Sequence, residues 1–455
     1  MPYKNRWFLL LISSCYFYMA FVPIYILILA FTIVIDYFAG IYIEKAQGKT
    51  RKLFLIFSLI ANIGVLSVFK YYNFLNENLS FLLHAFGWKD PIPFLSILLP
   101  IGLSFHTFQA MSYTIEVYRG HQKAERHFGI YSLYVMFYPQ LVAGPIERPQ
   151  NLLHQFREKY DFDYDRVVNG LKMILWGFVK KLVIADRLAI YVNAVYNNPE
   201  QHNGMTFLVA TIFFAFQIYC DFSAYSDIAI GAAKVMGFKL MTNFNRPYFA
   251  RDISEFWKRW HISLSTWFKD YFYISLGGNR VSIPRWYFNL LLVFLISGLW
   301  HGASWTYIIW GALNGFYLVF AIITYDLRKK ITRLIGLDKL PKLNHFLQII
   351  TTFILACFAW IFFRANNVTE AFDIVRKISK FDGRIFIKDP SMIIYSLSAI
   401  LLLFLVELKQ EYYKGDFSFL NNRSWVVRHL SYSFLIMLIL LFGVFDGGQF
   451  IYFQF

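Results

Sequence analysis

The chain has 455 residues, of which 58% are hydrophobic, and its formal net charge is +16. Apolar runs of bilayer length recur throughout and are too long and uniform for barrel strands, so we predict an all-α polytopic membrane protein. The basic residues cluster in the short loops between these runs, as in the positive-inside pattern. Membrane lipid is therefore an expected partner, and nucleic acid is excluded as one.

The first half of the chain predicts membrane helices joined by short basic or proline-containing links. Residues 7–43 are long enough for two helices that break near Pro23. One later segment contains Lys180 and Lys181, and such lysines usually extend to the membrane surface. The further apolar segments, of which the second is entered through Pro91, cover residues 53–71, 91–118, 128–142 and 171–196.

The second half continues with a span at residues 205–221, which residues 222–238 extend as a more polar helix. We predict about ten to twelve membrane helices in all, with interfacial or re-entrant helices between them. No polar stretch is long enough to form a soluble core, so residues 1–455 are predicted to be one membrane domain. Of the remaining spans, one ends at Thr324, and the other three cover residues 345–363, 391–406 and 430–445.

Residues 251–272 contain His261 and are predicted to form a helix at the membrane surface. On a helical wheel the charged residues share one arc of roughly 120° and the aromatic residues fill most of the remainder. His261 projects from the aromatic side, where it is either functional or bonded to a backbone carbonyl. The charged arc consists of Arg251, Asp252, Glu255, Lys258, Arg259, Lys269 and Asp270.

Residues 289–310 are apolar and contain a single histidine, His301, with no charged residue. An ionisable residue inside a bilayer-length segment is energetically costly, so a functional role is the first hypothesis and a helix–helix hydrogen bond is the alternative. The neighbouring residues are small, which lets a backbone or a ligand approach closely, and Gly298 and Gly302 have the G-x-x-x-G spacing.

Asp221, Tyr225 and Asp227 are weaker candidates for a supporting role. Near a membrane interior the two carboxylates could orient a histidine or bind a cation, and they could equally cap helix ends. Cys15, Cys220 and Cys357 lie in apolar surroundings without C-x-x-C spacing, so they are predicted to be packing residues, and no metal site is expected.

Several chemistries are excluded by the absence of their motifs. The chain has no P-loop, no G-x-S-x-G elbow and no H-E-x-x-H pair. No histidine is followed four or five residues later by aspartate, which disfavours acyltransferases built on an adjacent His–Asp pair. What remains is a membrane-buried histidine acting as a general base, or a transporter.

Several blocks of the sequence resemble the membrane-bound O-acyltransferase superfamily, and within it the alginate O-acetylation group. The likeness runs in order along nearly the whole chain. The family's usual first apolar segment has no counterpart before Trp7, which leaves the N-terminal topology open. The blocks are residues 104–113, 142–149, 219–231, 243–248, 256–265 and 297–303, together with the terminal Tyr452–Phe455.

This resemblance implies a ring of helices around a central tunnel, with the core catalytic region at residues 219–315. It makes His301 the presumed catalytic residue and His261 a second functional position, and Trp300 lies beside His301 in the same block. The implied activity is O-acyl transfer, with acetyl preferred, to an extracytoplasmic polysaccharide such as alginate.

The resemblance also implies a donor, a partner and a location. The donor would be acetyl-CoA or another acyl thioester, with no bound cofactor. A secreted or membrane-anchored esterase-like acetyltransferase would assist in the bacterial cytoplasmic membrane.

Two other functions are compatible with the sequence. A polysaccharide or lipid-linked sugar transporter would show charged residues paired across inverted repeats, and no repeat is visible. A catalytically silent scaffold for secreted enzymes would not need His261 and His301.

Overall fold

The structure, a computed structural model, describes residues 3–88, 92–96, 99–413, 420–446 and 450. All regular structure in these residues is helical: α-helices, π-helical turns and short 3₁₀ turns. The chain divides into two compact units, Met1–Gly170 with Ala229–Met241 and Leu171–Ile228 with Thr242–Phe455. Two sequence features singled out above, Pro91 and the terminal Tyr452–Phe455, lie outside the described residues.

The first unit begins with the predicted helical hairpin, and its two helices are separated by a 3₁₀ turn at Pro23–Tyr25. A proline starts that turn because its fixed φ suits the first helical position and it lacks an N–H to donate backwards. The helices that lie in this unit or start in it are α1 Arg6–Met19, α2 Ile26–Lys45, α3 Gly48–Leu66, α4 Tyr72–Ala85, α5 Leu103–Arg119, α6 Phe128–Met136, α7 Tyr138–Leu141, α8 Pro149–Leu152 and α9 Tyr164–Phe178.

The second unit contains the segments that carry His261 and His301. A π-helical turn, Val179–Ala185, joins α9 to the next helix, and another, Phe268–Tyr273, follows α13. The helices that lie in this unit or start in it are α10 Asp186–Tyr196, α11 Gly204–Val235, α12 Ile253–Arg259, α13 Ile262–Trp267, α14 Ile283–His301, α15 Trp305–Ile323, α16 Tyr325–Leu334, α17 Pro341–Arg364, α18 Val368–Lys380, α19 Pro390–Tyr412 and α20 Trp425–Phe442.

Eight helices in the described part of the chain are long and apolar enough to cross a membrane, which confirms the all-α polytopic class. Four predicted spans are not among them: the first helix of the hairpin, which has 14 residues, and residues 91–118, 128–142 and 171–196. Residues 128–142 are divided at Phe137 between α6 and α7. Residues 171–196 carry several charged side chains close together, which lowers their hydropathy. The eight helices are Pro23–Lys45, Gly48–Ala85, Gly204–Val235, Ile283–His301, Trp305–Ile323, Pro341–Arg364, Pro390–Tyr412 and Trp425–Phe442.

Two predicted boundaries differ from the structure for local reasons. The span predicted at residues 53–71 continues as helix to Ala85, because no glycine or proline interrupts the polar residues that follow it. In the span predicted at 91–118 the described helix, α5, begins at Leu103, after Gly102 adopts the left-handed φ of +75°. A Cβ on Gly102 would lie 2.7 Å from the carbonyl oxygen of Leu141, so this glycine also allows a close backbone approach.

Helices α14 and α15 form a tightly packed pair through Gly298 and Gly311. A Cβ on Gly298 would lie 2.2 Å from the Tyr307 carbonyl oxygen and 3.2 Å from the Gly311 Cα. A Cβ on Gly311 would lie 2.2 Å from the carbonyl oxygen of Phe294. Small residues were predicted to allow close contact between helices, and here glycines on both helices do so. This contact sets where the C-terminal end of α14, and so His301, lies.

Candidate active site

His301 is the last residue of α14 and is only 4% exposed. Its ring centroid lies 4.9 Å from that of Trp300, 5.0 Å from that of Trp310 and 5.4 Å from that of Phe363, each roughly edge-on. The residue after the helix, Gly302, leaves no room for a side chain, because a Cβ there would lie 2.1 Å from the ring of Tyr307. The imidazole is therefore held in an aromatic enclosure in which its rotation is restricted by rings on three sides.

The helix predicted over residues 251–272 is broken at His261, so that prediction is wrong. Helix α12 ends at Arg259, and His261 takes a left-handed φ of +43° before α13 begins at Ile262. Such a conformation costs a non-glycine residue about 1–3 kcal/mol and needs support from its surroundings. The support comes from Asn243, whose carbonyl oxygen accepts the Ile262 N–H at 2.8 Å.

The predicted division between a charged and an aromatic face is confirmed, although the helix is broken. The aromatic and aliphatic side chains on one side are buried, and the charged ones are mostly exposed. The segment therefore follows its amphipathic pattern in two short pieces instead of one helix. The buried residues are Phe256, Trp257, Trp260, Leu264, Trp267, Phe268 and Tyr271, and the exposed ones are Arg251, Asp252, Lys258 and Lys269.

His261 is fully buried, and its Nδ1 lies 3.1 Å from the side-chain oxygen of Asn243. The same oxygen accepts a hydrogen bond from the Ser263 hydroxyl, while the Asn243 amide nitrogen donates to Ser226. Because an amide oxygen only accepts, this network assigns the ring proton to Nδ1 and the lone pair to Nε2. Burial lowers the pKa of His261 to about 3, so the ring is neutral at physiological pH.

Trp300 is a ring neighbour of both histidines. Its ring centroid is 6.2 Å from that of His261 and 4.9 Å from that of His301. The Trp300 side chain is buried, as both imidazoles are. The structure thus brings three of the predicted site residues together in one cluster, which we call the histidine–tryptophan cluster: His261, Trp300 and His301.

The structure places Asp221 and Asp227 in ion pairs with the two lysines of the π-helical turn. Lys181 Nζ lies 2.7 Å from Asp221 and 2.8 Å from Asp186, and Lys180 Nζ lies 2.7 Å from Asp227. Both α11 aspartates stand inside the helix, so the helix-capping alternative is wrong for them. The expectation that the lysines extend to the membrane surface is also wrong for Lys180, because that side chain is 5% exposed.

Tyr225, the remaining supporting candidate, is half-buried and packs against Phe450 with ring centroids 5.2 Å apart. The residues that sequence reasoning missed are Asn243, which orients His261, and Trp310 and Phe363, which enclose His301. Asn243 belonged to a recognised block of residues, but nothing in the sequence connected it with a histidine 18 positions later. The aromatic residues carried no signal that separates them from ordinary packing.

A cavity of about 920 Å³ lies between the segment from Arg251 to Tyr273 and helices α14, α15, α16 and α17. Its walls are mostly apolar, and neither histidine lines it. Ser297, one helical turn before His301, is part of its wall. Its basic lining residues are Arg251, Lys258, Lys269 and Arg328.

A multi-pass helical protein that buries two histidines around a tryptophan fits a membrane-embedded enzyme that uses imidazole chemistry. The sequence profile of the membrane-bound O-acyltransferase (MBOAT) family matches residues 121–363, more than half of the chain. The chain belongs to this family and is therefore an acyltransferase.

Named relatives support the same assignment. The chain is 41% identical over 371 residues to the "Probable alginate O-acetylase AlgI" of Pseudomonas aeruginosa, covering 81% of this chain and 68% of that protein. It is 35% identical over 401 residues to the "Peptidoglycan O-acetyltransferase" of Helicobacter pylori, covering 82% and 74%. The "Teichoic acid D-alanyltransferase" of Streptococcus thermophilus is 32% identical over 273 residues, covering 54% and 63%.

Proposed function

We propose that this protein is an O-acetyltransferase of the bacterial cytoplasmic membrane that passes an acetyl group from a cytoplasmic thioester towards an extracytoplasmic polysaccharide such as alginate. The observation that carries the proposal is the histidine–tryptophan cluster, in a chain similar to proteins named for polysaccharide O-acetylation. The whole chain would act as one membrane domain with residues 219–315 as its catalytic core.

In the proposed reaction His301 acts as the general base. It takes the proton from an acceptor hydroxyl, and the hydroxyl oxygen forms a bond with the thioester carbonyl carbon. The carbon–sulfur bond then breaks, and the thiolate leaves with the proton that His301 holds. The rings around His301 support this role because they fix the imidazole in one orientation.

The tautomer of His261 supports a positioning role. With the Nδ1 proton donated to Asn243, the other ring nitrogen offers a lone pair and no proton. In this form His261 accepts a hydrogen bond from a hydroxyl or thiol group, and it does not polarise a carbonyl. For His261, orientation of a substrate is thus better supported than activation of the thioester carbonyl.

We expect His261→Gln to lower the turnover number while leaving residual activity, because glutamine keeps a hydrogen-bonding side chain of similar reach. The pH profile of the residual activity between pH 5 and 8 should match that of wild type, since the His261 pKa of about 3 lies outside this range. The check is the rate of acetyl transfer in membranes at several pH values. An altered profile in this range would instead identify His261 as a proton-transfer group.

The cavity beside Ser297 supports entry of the donor from the cytoplasmic side. Acyl thioesters such as acetyl-CoA carry phosphates on a long flexible arm and do not cross a bilayer. Lys258 and Lys269 at the cavity would attract those phosphates. The apolar walls suit the arm, and Ser297 lies one turn from His301. By the positive-inside rule the basic loops are expected on the cytoplasmic side, which agrees with this direction.

The acceptor side of the proposal includes a partner. The described chain consists of helices and short links and contains no domain of the size needed to hold a polysaccharide outside the membrane. A secreted or membrane-anchored esterase-like acetyltransferase would therefore take over the acetyl group or present the glycan.

Reconstitution in liposomes tests the direction of transfer and the need for a partner. With acetyl-CoA enclosed and glycan outside, we expect efficient glycan acetylation only after the partner is added outside. Radiolabelled acetyl on the glycan is the measurement, and liposomes without protein are the control. Efficient acetylation without a second protein would contradict the partner, and activity only with external donor would contradict the sidedness.

The transporter alternative gains one observation from the structure. Lys180–Asp227 and Lys181–Asp221 are pairs of opposite charge that are largely buried. They join neighbouring helical segments of one unit, however, whereas a transporter would pair charges across inverted repeats. Glycan movement across the same liposomes without acetylation would support this alternative.

A further inference from the structure

The backbone that carries His261, residues 259–262, lies against a second segment, residues 243–246. The N–H of Asn245 donates to the carbonyl oxygen of Arg259 at 2.9 Å, and the N–H of Ile262 donates to that of Asn243 at 2.8 Å. We call these two bonded segments the crossing. Their backbone hydrogen bonds set the position of His261 relative to Asn243.

The crossing is conformationally unusual. The described residues include three non-glycine residues with positive φ, and two of them, Arg246 at +46° and His261 at +43°, lie in the crossing. Residues in this conformation persist only where surrounding contacts determine them. The crossing therefore needs anchors outside its own two hydrogen bonds.

Glu411, in the last turn of α19, supplies such an anchor. One of its carboxylate oxygens lies 2.7 Å from Arg246 Nε and 3.0 Å from a terminal nitrogen of Arg259. Its other oxygen lies 2.8 Å from the second terminal nitrogen of Arg259. A single carboxylate thus joins both segments of the crossing through charge-assisted bonds, which are stronger and more directional than neutral ones.

Glu255 offers a useful contrast on the same arginine. It bonds Arg259 at 2.8 Å, but it belongs to α12, the helix that leads into Arg259. Its other partner, Arg251, lies on the same short segment. Glu255 therefore makes a local bond within one helix, whereas Glu411 connects the two segments to a separate membrane helix.

We propose that Glu411 is a positioning residue for acyl transfer, acting through His261 by holding Arg246 and Arg259 at the two segments of the crossing. The proposal rests on the proposed function, because it assigns a purpose to the exact placement of His261. Glu411 touches no reacting atom in this account. Its loss lets the crossing relax, and His261 then moves away from the substrate group that it orients.

The test compares Glu411→Gln with Glu255→Gln in the full-length protein, with its partner and at equal membrane level. Glutamine keeps the size of the side chain and removes the charge that holds two guanidinium groups. Since displacements of about 1 Å cost on the order of 100-fold in rate, we expect Glu411→Gln to lower the turnover number 10- to 100-fold. The Michaelis constant for the donor should stay unchanged. Glu255→Gln should remain within about twofold of wild type, because its bonds to Arg251 and Arg259 stay within one short segment and the bonds of Glu411 are left in place.

A double-mutant cycle separates positioning from general support of the fold. If Glu411 acts through His261, adding Glu411→Gln to His261→Gln should lower the remaining activity little further, because the residue that it positions is already altered. The thermal midpoints of the two single variants in detergent give a second measurement. Glu411→Gln should not melt more than a few degrees below Glu255→Gln.

Each contrary outcome has a definite meaning. An unchanged turnover number in Glu411→Gln, or the same fold-loss in the His261→Gln background as in wild type, would overturn the positioning role. So would a loss of activity explained entirely by a lower thermal midpoint. If His301→Ala remained fully active, the proposed function itself would fail, and that result is independent of the comparison between Glu411→Gln and Glu255→Gln.

Discussion

Replacing His301 by alanine should abolish acyl transfer while the protein still accumulates in the membrane. Loss of a general base typically costs about 10²–10⁴-fold in rate. The side chain is small and sits at the end of α14, where the surrounding rings also contact one another, as in the Trp310–Phe363 pair with centroids 5.3 Å apart. The measurement is the acetyl content of the glycan at equal membrane level.

His202→Ala is the matched control for this experiment. His202 is another buried histidine of the same unit, with Nε2 3.3 Å from the Ala194 carbonyl oxygen and its ring 4.7 Å from that of Phe386. Its removal creates a similar cavity away from the histidine–tryptophan cluster, so activity per molecule should stay near wild type. Near-normal acetylation by His301→Ala would remove His301 from the mechanism.

Replacing Gly311 by leucine should prevent normal accumulation of the protein. A single Cβ at this position would already lie 2.2 Å from the Phe294 carbonyl oxygen, and backbone cannot rotate away as a side chain can. Inserting extra methylenes into a packed site typically costs about 1–3 kcal/mol, and the cost rises where backbone must move. Membrane level by immunoblot and thermal midpoint in detergent are the measurements.

Gly64→Leu is the control for this prediction. Gly64 also lies within a long apolar helix, but a Cβ there would meet nothing within 4 Å. The protein should therefore accumulate normally with leucine at Gly64. Equal levels of the Gly311→Leu and Gly64→Leu proteins would show that the close approach of α14 and α15 is not needed for folding.

Much of the helical architecture could be predicted because it depends on local composition. His301 was identifiable since one histidine in an otherwise uncharged apolar segment stands out whatever its neighbours are. The amphipathic division of residues 251–272 was likewise visible, because burial follows the pattern of side chains even where the helix breaks. The family resemblance then distinguished enzyme from transporter, which composition alone did not.

The features that could not be predicted depend on partners far away in the chain. The break at His261 is stabilised by hydrogen bonds that Asn243 accepts, and a helical wheel contains no information about such a partner. The burial of Lys180 depends on Asp227, which belongs to a different helix. A lysine without an ion-pair partner extends its side chain to the membrane surface. In Lys180 the tertiary ion pair overrides this preference.

The lysine–aspartate pairs also constrain how the chain enters the membrane during synthesis. Lys181 can pair with Asp186 as soon as that residue is made, whereas Lys180 is made some 47 residues before Asp227, which at 5–20 residues per second is a delay of roughly 2–9 seconds. An unpaired lysine at the centre of a bilayer costs about 2.5–3.5 kcal/mol. The π-helical turn is thus poorly suited to enter lipid on its own. It becomes a favourable membrane segment when α11 neutralises it, so α9, α10 and α11 should insert together, after α11 has left the ribosome.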